Sequence, residues 1–137
     1  MGRVLAIDYG TKRVGLAVTD QLQMIANPLD TIHAKDLITY LRNYLQREQV
    51  DTIVLGLPKT LGNEDTTVTQ AVRNLEKHLK RTFPTTKITC IDERFTSKMA
   101  LDSMLAMGSK KKDRSKKENI DKISATIILQ SFLEQGN

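Results

Sequence analysis

Apolar positions alternate with polar ones in short blocks along the first third of the chain. Residues 4–7 are all apolar and lead to Asp8, and residues 14–18 return after the polar turn 9–13. Unbroken apolar runs of this length are typical of buried strands. After a second polar stretch, residues 28–32 give a weaker pattern that predicts a third strand at a sheet edge. The pattern therefore predicts a β-hairpin followed by an edge strand.

Helical and extended patterns then alternate along the chain. Residues 36–48 place apolar side chains at the spacing of an amphipathic helix. The runs TIVLGL (52–57) and KITCID (87–92) are rich in β-branched residues and predict parallel strands. A helix ending at Phe83 and Pro84 is predicted between these two strands. Its apolar residues fall on one stripe: Val68, Ala71, Val72, Leu75 and Leu79. The predicted fold class is α/β, with one domain spanning residues 1–137.

Two helices are predicted after the last strand. The first begins near residue 96 and stops at Gly108. The second begins at the capping-box sequence Ser-Lys-Lys-Glu of residues 115–118. Its predicted apolar face consists of Ile120, Ile123, Ile127, Leu129, Phe132 and Leu133.

Charge is distributed unevenly along the chain. The net charge is +5, and the run KKKDRSKK at 110–117 alone carries that excess. Such a run indicates a polyanionic partner, with a solvated loop as an equally weighted alternative. The single cysteine, Cys90, excludes a disulfide framework and favours a reducing compartment. With no signal peptide or membrane span in the sequence, we expect a cytoplasmic protein.

Topology selects three carboxylates as a candidate site. Asp8 ends the first strand and Glu93 follows the strand at 87–92, so both are expected at the edge where parallel strands end. Asp121 lies in the early turns of the last helix, which is expected to cross that edge. Asp20 and Asp51 belong to the opposite edge.

Each carboxylate also has a structural interpretation. Asp8 could accept from the amides of residues 10 and 11, Glu93 could pair with Arg94, and Asp121 could pair with Lys117. Three carboxylates at one edge repel each other, however, unless cations neutralise them. Oxygen ligands without His or Cys favour Mg²⁺ or Mn²⁺, and two such ions could promote phosphodiester cleavage. His33 has no partner at metal-ligand spacing and is interpreted as a surface residue in a loop.

Four motifs together resemble the YqgF family of RuvX-like proteins. They are DYGTKRVG at 8–15, GLP at 56–58, DERFT at 92–96 and DKISA at 121–125. The resemblance implies a ribonuclease H-like fold with a mixed five-stranded sheet in the order 3-2-1-4-5, strand 2 being antiparallel. Members of the family are described as Holliday junction resolvases or as nucleases that mature precursor small-subunit ribosomal RNA. Ser124-Ala125 stands where RuvC-type resolvases have a further aspartate.

The resemblance also implies roles for particular residues. Asp8, Glu93 and Asp121 would be the catalytic metal ligands for Mg²⁺ or Mn²⁺. Lys12, Arg13 and Arg94 would contact phosphates. The predicted nucleic-acid contacts also include Lys59 at the same edge and, from the charge pattern, the basic run Lys110, Lys111, Lys112, Arg114, Lys116 and Lys117. The expected substrate is an rRNA precursor, with branched DNA as the alternative, and ribosomal particles are further candidate partners. The chain would act as a monomer or a homodimer.

Two other functions compete with a nuclease. The motif Asp-x-Gly-Thr at 8–11 also opens ATPases of the actin and sugar-kinase type, although those proteins need two lobes and a second phosphate loop. The second alternative is a module that binds nucleic acid without cleaving it. Its basic run would hold the phosphates while its acids pair with lysines.

Overall fold

Five strands form one mixed sheet in the order β3-β2-β1-β4-β5. The computed structural model describes residues 2–10, 12–57, 67–92 and 117–135. The strands are β1 (Arg3–Tyr9), β2 (Arg13–Thr19), β3 (Ala26–His33), β4 (Val50–Leu57) and β5 (Lys87–Asp92). Strand β2 is antiparallel to both of its neighbours, while β1, β4 and β5 run parallel. The predicted strand order and directions are confirmed.

Helices provide the crossovers. A short 3-10 helix (Ala34–Asp36) leads into α1 (Leu37–Arg47), and α2 (Thr67–Thr82) joins β4 to β5. The helix α3 (Lys117–Glu134) closes the described chain. Among the described helices, none is long and apolar enough to cross a membrane. The predicted helix at 96–108 and the loops at 58–66 and 109–116 lie outside the described residues.

Alternate residues of each strand separate two hydrophobic layers. In β1, Leu5 and Ile7 face α1 and α2, whereas Val4 and Ala6 face α3. This alternation follows from the period of two along a strand. Full burial of a Leu or Ile side chain contributes about 1.5–3 kcal/mol, so both layers stabilise the sheet strongly. Asp8, two positions after Ala6, therefore belongs to the α3 face.

The burial of α3 is broader than the predicted stripe. Ile127, Leu129 and Phe132 are buried as predicted, but Ala125 and Ile128 are buried too. Thr126 and Ser131 are also buried, so polar positions that a one-sided helix would expose are covered here. The described part of α3 lies on the sheet with much of its circumference enclosed.

One local prediction was wrong. His33 was expected in a loop, but it is the last residue of β3 and pairs with Arg13 of β2. Its side chain is exposed, as predicted. The cause is tertiary, because pairing with β2 continues β3 one residue past the apolar run that indicated it.

Candidate active site at the carboxyl ends of the parallel strands

Asp8 lies near the end of β1 between two residues that have no side chain. On one side it pairs with Gly15 of β2. On the other side, Ile7 pairs with Leu55, which places Gly56 of β4 next to Asp8. The Asp8 side chain is half-buried. Glycine inside a strand often marks a place where another group approaches the backbone closely, so the surroundings of Asp8 suit a ligand.

The turn after Asp8 is tight and carries two cations. The Gly10 amide donates to the Arg13 carbonyl oxygen at 3.0 Å. A Cβ atom at Gly10 would lie 2.6 Å from that same oxygen, so glycine is required for this closure. Lys12 and Arg13 are exposed on the turn. Two positive side chains therefore extend from the edge of the sheet at which Asp8 lies.

The direction of α3 can be established from its far end. Gln130, Leu133 and Glu134 line a cavity of about 430 Å³ together with Met24 and Ile25 of the β2–β3 connection. That connection lies at the amino-terminal edge of β1, because β2 runs antiparallel to β1. The carboxyl end of α3 is thus at the edge opposite Asp8. An 18-residue helix is about 27 Å long, enough to cross the sheet, so its amino-terminal turns lie toward the Asp8 edge.

Small residues let α3 lie close to the sheet near this edge. Ala125 of α3 is fully buried in the same cluster as Ala6 and Ala17, which pair across β1 and β2. Methyl groups on all three residues keep the separation between helix and sheet short. The backbone of residue 121 lies in α3 one turn before Ala125. The position of Asp121 is therefore on the part of the helix that approaches the Asp8 edge.

The described residues contain only part of the predicted site. Asp8, Lys12 and Arg13 lie together at the predicted edge, and β5 ends there at Asp92 as predicted. Within the described portion of the chain, no three His, Cys, Asp or Glu side chains converge on one metal position. The side chains of the other predicted site residues lie outside the described set; they are Lys59, Glu93, Arg94, Lys110, Lys111, Lys112, Arg114, Lys116, Lys117 and Asp121.

Asp20 and Asp51 lie at the opposite edge, as predicted. Asp20 accepts hydrogen bonds from the amides of Met24 and Ile25, both at 2.9 Å, and from Leu22 at 3.2 Å. These hydrogen bonds lower the pKa of Asp20 below its ordinary value, and the bond from the Ile25 amide has the largest effect. Asp20 thus stabilises the β2–β3 connection by bonding to its backbone.

Three residues that shape the site lie inside the family motifs, but the sequence pattern did not predict their structural roles. Gly15 and Gly56 flank Asp8, and Ala125 brings α3 close to the sheet. Glycine within otherwise β-branched strands was an available signal, because such a residue weakens a strand and usually has a local reason. No comparable signal singles out Ala125, since its importance depends on what it faces.

Similar folds occur in DNA junction resolvases. A Thermus thermophilus RuvC structure superimposes with a TM-score of 0.61 at 9% identity, covering 98% of this chain and 96% of that one. The yeast mitochondrial Holliday junction resolvase gives a TM-score of 0.55 at 13% identity, covering 96% of this chain and 78% of that one. At such low identity the likeness shows the fold alone, and it confirms the ribonuclease H-like architecture.

Sequence comparison gives the family. The chain is 52% identical over 133 residues to an Amoebophilus asiaticus protein, covering 97% of this chain and 94% of the relative. It is 47% identical over 137 residues to a Bacteroides fragilis protein, covering 98% of this chain and 97% of that relative. Both relatives carry the name "Putative pre-16S rRNA nuclease". A family model described as "RuvX: Holliday junction resolvase" matches residues 2–135, and the chain therefore belongs to the RuvX family.

Proposed function

We propose that this chain is a divalent-metal-dependent nuclease that hydrolyses phosphodiester bonds of structured RNA, with precursor 16S rRNA as its substrate. The observation that carries the proposal is the position of Asp8. It is half-buried at the carboxyl edge of β1, between two glycines, on the face that α3 crosses toward its amino-terminal end. Membership of the RuvX family and the names of the relatives support a nuclease.

Glu93 and Asp121 complete the proposed ligand set. Glu93 follows β5 directly, and Ile91, two residues earlier, packs in the cluster on the α3 face. Asp121 comes one helical turn before Ala125, which packs in that same cluster. All three proposed ligands thus derive from elements that end or begin at one edge of the sheet.

The chemistry of this donor set suits a hard cation. Carboxylate oxygens without His or Cys are the ligands that Mg²⁺ and Mn²⁺ accept, and the glycines beside Asp8 carry no side chain to obstruct an ion. When bound, such ions supply an activated water and stabilise the leaving oxygen of an in-line displacement. Half-burial of Asp8 strengthens its attraction for a cation relative to a fully solvated carboxylate.

Cationic residues would bind and orient the nucleic acid. Lys12 and Arg13 project from the turn beside Asp8 and can contact phosphates next to the reactive one. Lys59 and Arg94 are assigned to the same edge, since they follow β4 and β5 in sequence. The basic run at 110–117 would hold more distant phosphates. We place this activity in the cytoplasm, acting on free RNA or on ribosomal particles.

Cleavage of a Holliday junction is the second candidate. The family model's description favours it, since it names that reaction. Junction resolution requires two symmetric cuts, so this candidate calls for a homodimer, whereas RNA maturation is possible for a monomer. The relatives that match nearly the whole chain are named for RNA, which is why precursor rRNA is preferred here.

Cleavage assays with two substrates test the proposal. Wild type and Asp8→Asn would each be incubated with a labelled precursor 16S rRNA fragment and with a four-way DNA junction, in Mg²⁺, Mn²⁺ or EDTA. We expect the wild type to cut the RNA only with metal, and Asp8→Asn to be at least about 100-fold slower, because loss of a metal ligand removes several kcal/mol of transition-state stabilisation.

Asp51→Asn is the matched control, because it makes the same chemical change at the opposite edge. It should retain cleavage, and thermal unfolding should show that all three proteins are folded. Preferential cleavage of the junction would select the second candidate. Equal cleavage by wild type and Asp8→Asn, or no cleavage of either substrate, would refute the catalytic assignment.

A further inference from the structure

A second loop carries positive charge at the same edge of the sheet as Asp8. The turn between β1 and β2 is hydrogen-bonded to the connection between β3 and α1: the Ala34 amide donates to the Lys12 carbonyl oxygen at 2.9 Å. In the neighbouring strands, Arg13 pairs with His33. The two loops therefore form one continuous surface, and residues 33–35 extend the cationic turn outward from the site.

The His33 ring is oriented by a backbone hydrogen bond. Its Nδ1 atom accepts from the Lys35 amide at 3.3 Å, which caps the short 3-10 helix. A neutral imidazole that accepts at Nδ1 carries its proton at Nε2, so the other ring nitrogen is the donor. The side chain is exposed. His33 thus offers a hydrogen-bond donor to a ligand at this surface.

Lys35 adds a full charge to the same loop. Its side chain is exposed, and no ion pair joins Lys12 or Lys35 to a carboxylate among the residues that the structure describes. Asp36, also exposed, is the acidic residue beside them in sequence. Among the described residues of this surface, the exposed charged side chains are Lys12, Arg13, Lys35 and Asp36, so its exposed charge is positive and favours an anion.

We propose that the path of the bound nucleic acid runs from Asp8 across the β1–β2 turn to His33 and Lys35, which bind phosphates beyond the cleaved bond. Neighbouring strands lie about 4.8 Å apart, so β3 is about 10 Å from β1. This inference rests on the proposed function and extends it. The substrate must continue past the scissile bond on the β3 side, so very short fragments would be poor substrates.

Binding measurements test this path independently of cleavage. The Asp8→Asn protein, in which we expect cleavage to be at least about 100-fold slower, would be titrated against a fluorescein-labelled stem-loop RNA at several KCl concentrations. Lys35→Ala in this background should weaken binding several-fold and reduce the slope of log K against log salt by about 1, as expected for one lost phosphate contact. Lys87→Ala is the control, since it removes the same charge from an exposed residue at the opposite edge and should leave the slope unchanged.

The variant His33→Asn tests the Nε2 donor while keeping the hydrogen bond that caps the 3-10 helix. The Asn Oδ1 atom can still accept from the Lys35 amide, as the His33 Nδ1 atom does, but the Asn Nδ2 donor does not extend as far from the backbone as the His33 Nε2 atom. Binding should weaken with little change in the salt slope, because a neutral donor releases no counterion. A labelled RNA trimmed to end at the site on the β3 side should be insensitive to both substitutions. Equal losses with Lys35→Ala and Lys87→Ala, or no loss with Lys35→Ala, would overturn the proposed path, whereas absent cleavage by wild type would refute the proposed function alone.

Discussion

The two edges of the sheet surround their aspartates differently. At the amino-terminal edge of β1, Asp20 accepts hydrogen bonds from three backbone amides. Asp51 accepts one from the Gly2 amide at 2.8 Å. At the carboxyl-terminal edge, Asp8 lies between Gly15 and Gly56, beside a turn that carries exposed cations. The residue type is the same, but the surroundings differ: Asp20 binds the backbone of a loop, whereas Asp8 lies between two glycines at the edge proposed to bind metal.

The amino-terminal edge is organised by hydrogen bonds within the protein. Gln23 has a positive φ of 59° and donates from Nε2 to the Gly2 carbonyl oxygen at 2.6 Å. Arg3 donates to the Thr19 carbonyl oxygen at 2.9 Å and pairs with Glu48. The described residues of this edge thus bind the start of β1 to the β2–β3 connection. Changes there should affect stability and leave activity nearly unchanged, whereas changes at the Asp8 edge should affect activity as well.

Overpacking beneath α3 should have the largest effect. Ala125 is fully buried against Ala6 and Ala17, so Ala125→Leu would force the helix away from the sheet near the site. We expect a loss of about 3 kcal/mol in the free energy of unfolding, the upper end for added bulk in a packed core. RNA cleavage should fall further than the folded fraction does, because the displaced segment leads to Asp121. Urea unfolding and cleavage rates measure the two effects.

Ala26→Leu is the matched control for that change. Ala26 packs in the same layer but at the opposite edge, where it lines the cavity of about 430 Å³. The added methyl groups can enter that space, so stability and cleavage should both stay near the wild-type values. If the two variants lost equal stability and equal activity, the claim that α3 lies especially close to the sheet near Asp8 would be wrong.

A substitution in the turn between β1 and β2 should have an intermediate effect on stability and RNA binding. A Cβ atom at Gly10 would lie 2.6 Å from the Arg13 carbonyl oxygen, so Gly10→Ala requires the turn to shift. We expect a loss of about 1–2 kcal/mol in the free energy of unfolding. RNA affinity should fall as well, because Lys12 and Arg13 move with the turn. Lys12→Ala serves as the control: it should lower affinity, measured by fluorescence anisotropy, without lowering stability. Unchanged affinity in Gly10→Ala would contradict a role for the shape of the turn.

The sequence was most informative where one local pattern decides the structure. Apolar runs ending in a polar residue predicted the strands, and strand direction then placed Asp8 at one edge with Asp20 and Asp51 at the other. It was less informative where tertiary packing decides. The burial of Ala125 depends on small residues in two strands far away in sequence, and the end of β3 at His33 depends on pairing with β2. The assignments of Glu93 and Asp121 remain predictions.

Acid titration should show the smallest effect and test the structural role of Asp20. Its hydrogen bonds to the amides of Ile25 and Met24 lower its folded-state pKa, so it contributes stability that is fully present above the ordinary aspartate value of 3.8. That stability is lost as the pH falls below 3.8 toward the lowered value. Asp20→Asn should therefore be less stable than wild type at neutral pH, and the stabilities of the two proteins should converge in acid, as urea unfolding at a series of pH values can measure.

Asp36→Asn is the control, because it removes an exposed carboxylate that makes no capping hydrogen bond and should remain near wild-type stability at neutral pH. A stability difference for Asp20→Asn that persists unchanged into strong acid would show that the charge of Asp20 does not stabilise this edge.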